Sequence, residues 1–156
     1  MIPLIDNTLL DTVVAEAKDA PRKRKNRNFH PHNDYPAHRL LNAVEPGSYI
    51  APHRHNDPNK DETMVVLRGS LGLVEFDENG AVQRCTRLQA GGDILGCDIP
   101  HGTFHTVLAL ESGTVFLEAK SGPYAALGAE EKAPWAPQEG DLGVAAYLHA
   151  LQQRFV

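Results

Sequence analysis

Cysteine is scarce in this chain of 156 residues: Cys85 and Cys97 are the only two, without CxxC spacing and in hydrophobic surroundings. A disulfide-stapled scaffold is therefore not expected, and both read as buried free thiols in a reducing compartment. Long apolar runs are missing as well, none approaching the ~18 residues of a membrane span. The N-terminal MIPLIDNTLL carries Asp6 where a signal peptide carries positive charge. The expectation is a soluble cytoplasmic protein with no membrane partner. Positive charge is also in deficit, the net charge being -5, which argues against nucleic-acid binding, since that relies on cationic patches to displace counterions from phosphates. Internal repeats, low-complexity tracts and signs of a second domain are absent, so residues 1–156 read as one domain able to bury a substantial core.

One stretch runs against the acidic average. The segment 22-RKRKNR-27 has five positive charges in six residues. It reads either as a solvated basic loop or as a loop that folds over a pocket and holds a phosphorylated or acidic ligand.

Hydrophobic periodicity divides the chain into three parts. In residues 1–36, Leu9, Leu10, Val13, Val14 and Ala17 share one helical face, with Asp6 as N-cap and Pro21 closing the helix, and the basic loop follows. Residues 37–122 are short strands between turns: AHRLLNAV, ETMVVLRG, SLGLVEF, AVQRCTRL, TFHTVLAL and GTVFLEAK. Asp77-Glu78-Asn79-Gly80 and Glu111-Ser112-Gly113 supply the positive-φ residues of tight hairpin turns. That spacing of strands predicts a mainly β sandwich or barrel. Residues 123–156 begin with a Pro-rich stretch and end in DLGVAAYLHALQQRF, a closing helix.

The chemistry-bearing segment is 53-HRHNDPNKDE-62. On a strand, His53 and His55 share one face with Cα atoms roughly 6.6 Å apart. Imidazole nitrogens at that separation can converge on one cation at about 2.1 Å each. The Asn-Asp-Pro-Asn turn stops the strand, and the chain re-enters the sheet at Glu62, which alternates with Met64 and Val66 on an inward face. In 100-PHGTFH-105, Pro100 and Gly102 disfavour a helical histidine pair. His105 therefore lies on a strand as the fourth ligand, and His101 lies in the preceding turn.

Gly47, His53, His55, Glu62 and Gly69, followed by Pro100, Gly102 and His105, resemble the paired motifs of the cupin superfamily. PRKRKNRNFH, DYPAHRLLNAVEPGSY, PHRHNDPNKDET, DIPHG, EAKSGPY and APWAP resemble, across nearly the whole chain, the WbuC family of cupin-fold metalloproteins. The sequence departs from the general cupin pattern in the six residues between His55 and Glu62, in Ala109 where asparagine is usual, and in the early placing of Gly92. The resemblance implies a cupin-type jelly-roll β-barrel with a short N-terminal helix and a C-terminal helix. It also implies a setting in bacterial O-antigen and other surface-polysaccharide gene clusters.

Four protein ligands on a six-coordinate divalent metal leave two open positions, an arrangement suited to catalysis. The ligand types admit Fe, Mn, Co, Ni or Zn. Three readings follow: a metal-dependent isomerase or epimerase acting on a sugar or nucleotide-sugar, a non-catalytic sugar-binding or sensing module, and an iron-dependent oxygenase. Acidic or basic side chains near the metal would favour the first, and a purely apolar pocket the third. Arg22, Lys23 and Arg24 of the basic run are candidate ligand contacts, together with Arg39, Tyr49 and Lys120. Arg39 either pairs with an acid such as Glu118 or points into the pocket. His30 and His32 read as incidental loop histidines or as residues over the pocket mouth, and His38 and His149 as surface or satisfied core residues. A homodimer is expected, because small barrels protect their edge strands by pairing.

Overall fold

Asp6 accepts a hydrogen bond from the Leu9 backbone N–H at 2.9 Å and so caps the first helix, α1 (Asn7–Asp19). The structure, a computed structural model, describes all of residues 1–156. Leu10, Val13, Val14 and Ala17 of α1 are buried against Leu41, Ala43 and Val115. At roughly 1.5–3 kcal/mol for each fully buried Val or Leu, this docking holds a helix too short to persist alone.

Eight strands follow: β1 (Arg24–Asn28), β2 (Ala37–Val44), β3 (Glu62–Arg68), β4 (Ser70–Phe76), β5 (Val82–Gln89), β6 (Gly96–Ile99), β7 (Phe104–Ala109) and β8 (Thr114–Ser121). They form two antiparallel sheets, a five-stranded one ordered β1-β2-β8-β3-β6 and a three-stranded one ordered β5-β4-β7. Alternation decides what faces where. On β2, Leu41 and Ala43 lie under α1, while Leu40, Asn42 and Val44 line the interior. Between the sheets, Met64, Val66, Leu71, Leu73, Val107 and Phe116 form the main core. A second helix, α2 (Val144–Gln152), buries Leu148 and Leu151 on the outer side of the three-stranded sheet, beside Val74, Phe76 and Leu108.

Three expectations need correction. The basic run is no loop: Arg24–Asn28 is edge strand β1, paired with β2 from Arg24↔Val44 to Asn28↔Leu40. The sheet therefore begins before residue 37. Apolar alternation gives no sign of RKNRN as a strand because one face looks into a polar cavity and the other into solvent. Strand β6 is likewise extra, and its GCDI is too short to show a period. Residues 53–55, finally, are not a regular strand; only His53 is bridged, to His105 and to Lys132. No helix is long and apolar enough to cross a membrane.

Candidate metal centre and cavity

His53 and His105 are opposite one another and exchange both backbone hydrogen bonds, His53 N–H to the His105 carbonyl at 3.0 Å and the reverse at 2.9 Å. Directly opposed residues project to the same face, and the two rings have centroids 4.7 Å apart. On its other side the histidine segment is pinned by the C-terminal tail: Arg54 N–H donates to the Glu131 carbonyl, and Ala133 N–H to the Pro52 carbonyl. The His55 carbonyl accepts from Gly102 N–H at 2.6 Å, tying the two motif loops together. Glu62, the first residue of β3, enters the same space and is 2% exposed.

The tautomers follow from the carbonyls beside the rings. Nδ1 of His53 donates to Ala51 O and Nδ1 of His105 to Thr103 O, each at 2.9 Å. A neutral imidazole that donates through Nδ1 keeps its lone pair on Nε2. Nε2 of His105 then faces Oε2 of Glu62 at 3.1 Å, both atoms buried and without a hydrogen-bond partner. Nε2 of His55 is 3.3 Å from the same oxygen. Lone pairs so close in a buried site call for a cation between them. Separations of 3.1 and 3.3 Å suit neighbouring ligands around one ion with bonds of about 2.1 Å. One ligand atom from each of His53, His55 and Glu62 lies within 4.8 Å of the others. The donor set fits a divalent transition metal: His53, His55 and Glu62 could hold one, with His105 Nε2 beside them at the same Glu62 oxygen.

Electrostatics keep the donors in ligating form. Burial, reinforced by His105, pushes the His53 imidazole down to about 4, so it is neutral at ordinary pH. Burial alone would raise the Glu62 carboxyl, but its polar neighbours, Glu118 and Lys120 among them, outweigh it and hold Glu62 below the usual carboxylate range. Glu118 moves the other way: burial, and then Glu62 beside it, push its carboxyl up to about 8. The ammonium of Lys120 sits 3.3 Å from Glu62 Oε1 and 3.4 Å from His55 Nε2.

The cluster opens into a cavity of about 410 Å³, near the small end of ordinary ligand pockets. Glu118 and Lys120 of the central strand β8 line it. So do Arg24, Asn26 and Asn28 of β1, His38 and Asn42 of β2, His30, Lys60, and the 124–127 segment. His30 and His38 stack in parallel at 3.9 Å. His30 Nδ1 accepts from Arg39 N–H at 3.2 Å, and His38 donates through Nε2 to Asn33 O at 2.9 Å.

Of the candidate ligand contacts, the structure brings Lys120 and Arg24 to this cavity and keeps the others out. Arg39 is exposed and lies over the Tyr35 ring at 5.5 Å, because its position on β2 has outward parity. It is paired neither with Glu118 nor with the pocket. Tyr49 is buried elsewhere and donates its hydroxyl to Pro137 O at 2.6 Å. Arg22 grips Glu139 with two hydrogen bonds of 2.6 Å, Arg24 reaches the same carboxylate at 2.8 Å, and Lys23 is exposed. His101 lies in the turn as expected, where it pairs with Asp61, and His149 is exposed. Lys60 had no signal in the sequence, since the chain that covers it lies more than sixty residues away at Pro123.

Comparison with known proteins agrees with the fold. KdgF from Halomonas sp. superposes with a TM-score of 0.52 at 20% identity, over 69% of this chain and 85% of that one. The conserved SPY1581 protein of unknown function from Streptococcus pyogenes gives a TM-score of 0.53 at 14% identity, over 80% and 91%. A cupin-2 domain protein from Shewanella frigidimarina is also similar, with a TM-score of 0.47 and 26% identity over 63% and 80%. No curated protein matches the chain in sequence. The fold is the cupin-type barrel with terminal helices that the sequence led us to expect. The family described as "Domain of unknown function (DUF6016)" matches residues 5–88, which run from α1 into β5 and include His53, His55 and Glu62, and the chain belongs to that family.

Proposed function

We propose that this protein is a metal-dependent enzyme of the isomerase or epimerase type that acts on a sugar. The observation that carries the reading is the pair Glu118 and Lys120 lining the cavity beside the three-histidine, one-glutamate cluster. An apolar pocket would have suited an oxygenase, whereas acidic and basic side chains at the centre suit proton transfer. A divalent metal on His53, His55, Glu62 and His105 would polarise a carbonyl or hydroxyl oxygen as a Lewis acid. The protein's own groups supply the rest. Glu118, pushed up to about 8, holds a proton near neutral pH and serves as the acid. His38, kept neutral by burial and donating through Nε2, has its lone pair at Nδ1 and serves as the base. Lys120 positions the oxygen substituents of the ring between them.

A free sugar suits the cavity better than a nucleotide-sugar, because Arg22 and Arg24 are already engaged by Glu139. The resemblance to WbuC proteins supports a role in bacterial surface-polysaccharide assembly. A homodimer belongs to the same proposal, supported by the unpaired outer edges of β1 and β6 and the exposed Ile2, Leu4 and Ile5. A monomeric mass by light scattering would count against it.

The test is elemental analysis of the purified protein, followed by deuterium incorporation from D₂O into candidate sugars by NMR. Exchange at a ring carbon that disappears in Glu118→Gln supports the proposal. Metal bound with no exchange in any sugar tried favours a binding module instead.

A further inference from the structure

Lys60 is 9% exposed, and its ammonium has one partner, the Pro123 carbonyl at 2.5 Å. A buried ammonium is ordinarily compensated by an acid, because an unpaired charge away from water is costly. No carboxylate forms an ion pair with it here, although Glu131 feels its charge. Glu131, on the neighbouring loop, directs Oε1 to Gly128 N–H at 3.0 Å and Oε2 to Asn56 N–H at 2.9 Å. The second lysine of the cavity, Lys120, shares Glu62 with two histidines. Arg24 shares the single carboxylate of Glu139 with Arg22. Of the cations in the cavity wall, Arg24, Lys60 and Lys120, Lys60 is the one without an ion pair, and it lies away from the basic run that is conspicuous in the sequence.

We infer that Lys60, with Lys120, forms an anion subsite that takes the carboxylate of the substrate, so that the sugar is a sugar acid and not a neutral sugar. This rests on the cavity being the substrate site. Two flexible ammonium groups suit a small carboxylate, while phosphate is usually gripped by arginine forks, and the arginine of this wall, Arg24, is already engaged by Glu139. With the carboxylate on the lysines, the rest of a ring-sized ligand extends toward His30 and His38 on one side and the metal ligands on the other.

The experiment is calorimetric titration of the purified protein with D-gluconate, D-glucuronate, D-glucose and D-glucose 6-phosphate, at low and high salt. At least one of the two acids should bind about tenfold tighter than glucose, the effect of a charge-assisted hydrogen bond. That preference should shrink in high salt, vanish in Lys60→Met and persist in Lys60→Arg. Metal content should be unchanged in Lys60→Met, which separates this inference from the metal site itself: loss of metal belongs to the histidines, loss of acid preference to Lys60. Equal affinity for acid and neutral sugars, no binding of either acid, a preference for the phosphate, or an acid preference that survives Lys60→Met would each overturn it. Should Lys60→Met fail to fold, the wild-type contrast between acids and glucose and its salt dependence decide alone.

Discussion

The chain contains His-x-His twice, at 30–32 and at 53–55, and folding treats the two copies differently. At 53–55 both rings turn toward Glu62, because His53 is bridged to His105 and the His55 carbonyl is held by Gly102. At 30–32 the intervening Pro31 and the turn after it separate the pair. His30 goes inward to stack on His38, and His32 stays exposed, edge-on to Tyr35. Two imidazoles on alternate residues thus converge on a carboxylate at 53–55 and part at 30–32. The two inward-facing pairs, His53 with His55 and His30 with His38, end up on walls of one cavity.

The largest effect should come from breaking the first pair. His53→Ala/His55→Ala should reduce bound metal from about one equivalent to near zero by elemental analysis, while His30→Ala/His32→Ala should leave it in place. Equal loss in both double variants would erase the contrast.

Acid should separate the two ends next. In metal-free protein, burial holds His53 at about 4 against an ordinary 6.5. The unfolded chain therefore binds a proton that the folded one refuses between those values, and stability is lost as pH falls from 6.5 to 4. The loss approaches roughly 3 kcal/mol, since each tenfold difference in proton affinity between the two states is worth about 1.4 kcal/mol. Urea unfolding across that window should show it in the wild type and much less of it in His53→Gln.

A change at the far end tests whether its architecture is independent of the metal. A Cβ on Gly122 would lie 1.8 Å from the Tyr35 carbonyl and 2.7 Å from His38 Nε2. Gly122→Ala should cost about 1–3 kcal/mol, in the range of overpacking, with metal stoichiometry retained. The smallest effect belongs to the charged clasp outside. Glu139→Gln should change stability by no more than about 1 kcal/mol, as expected of a surface ion pair. Arg22 and then Arg24 draw the Glu139 carboxyl down to about 2 from 4.5, so the contribution is complete above pH 4.5 and fades as pH approaches 2. Melting curves of wild type and variant should converge over that range.

Much of the fold was legible because it rests on local rules. Asp6 announces the helix start, Asp77-Glu78-Asn79-Gly80 the hairpin, and alternation in ETMVVLRG and TFHTVLAL the strands that carry Glu62 and His105. Parity alone put Glu118 and Lys120 on one face of β8. The motif spacing pointed to His53, His55, Glu62 and His105 meeting in one cluster, which they do, though through the His53–His105 bridge and not through a regular strand at 53–55. Tertiary structure alone decided which charges are free. The density of 22-RKRKNR-27 suggested a ligand site, but Glu139, more than a hundred residues away, engages both Arg22 and Arg24. Lys60 sits in a turn that looks solvated, yet the chain at Pro123 buries it. Periodicity and turn chemistry act over a few residues and so can be read along the chain. Burial and charge pairing depend on what the fold brings alongside, and a sequence does not display that distance.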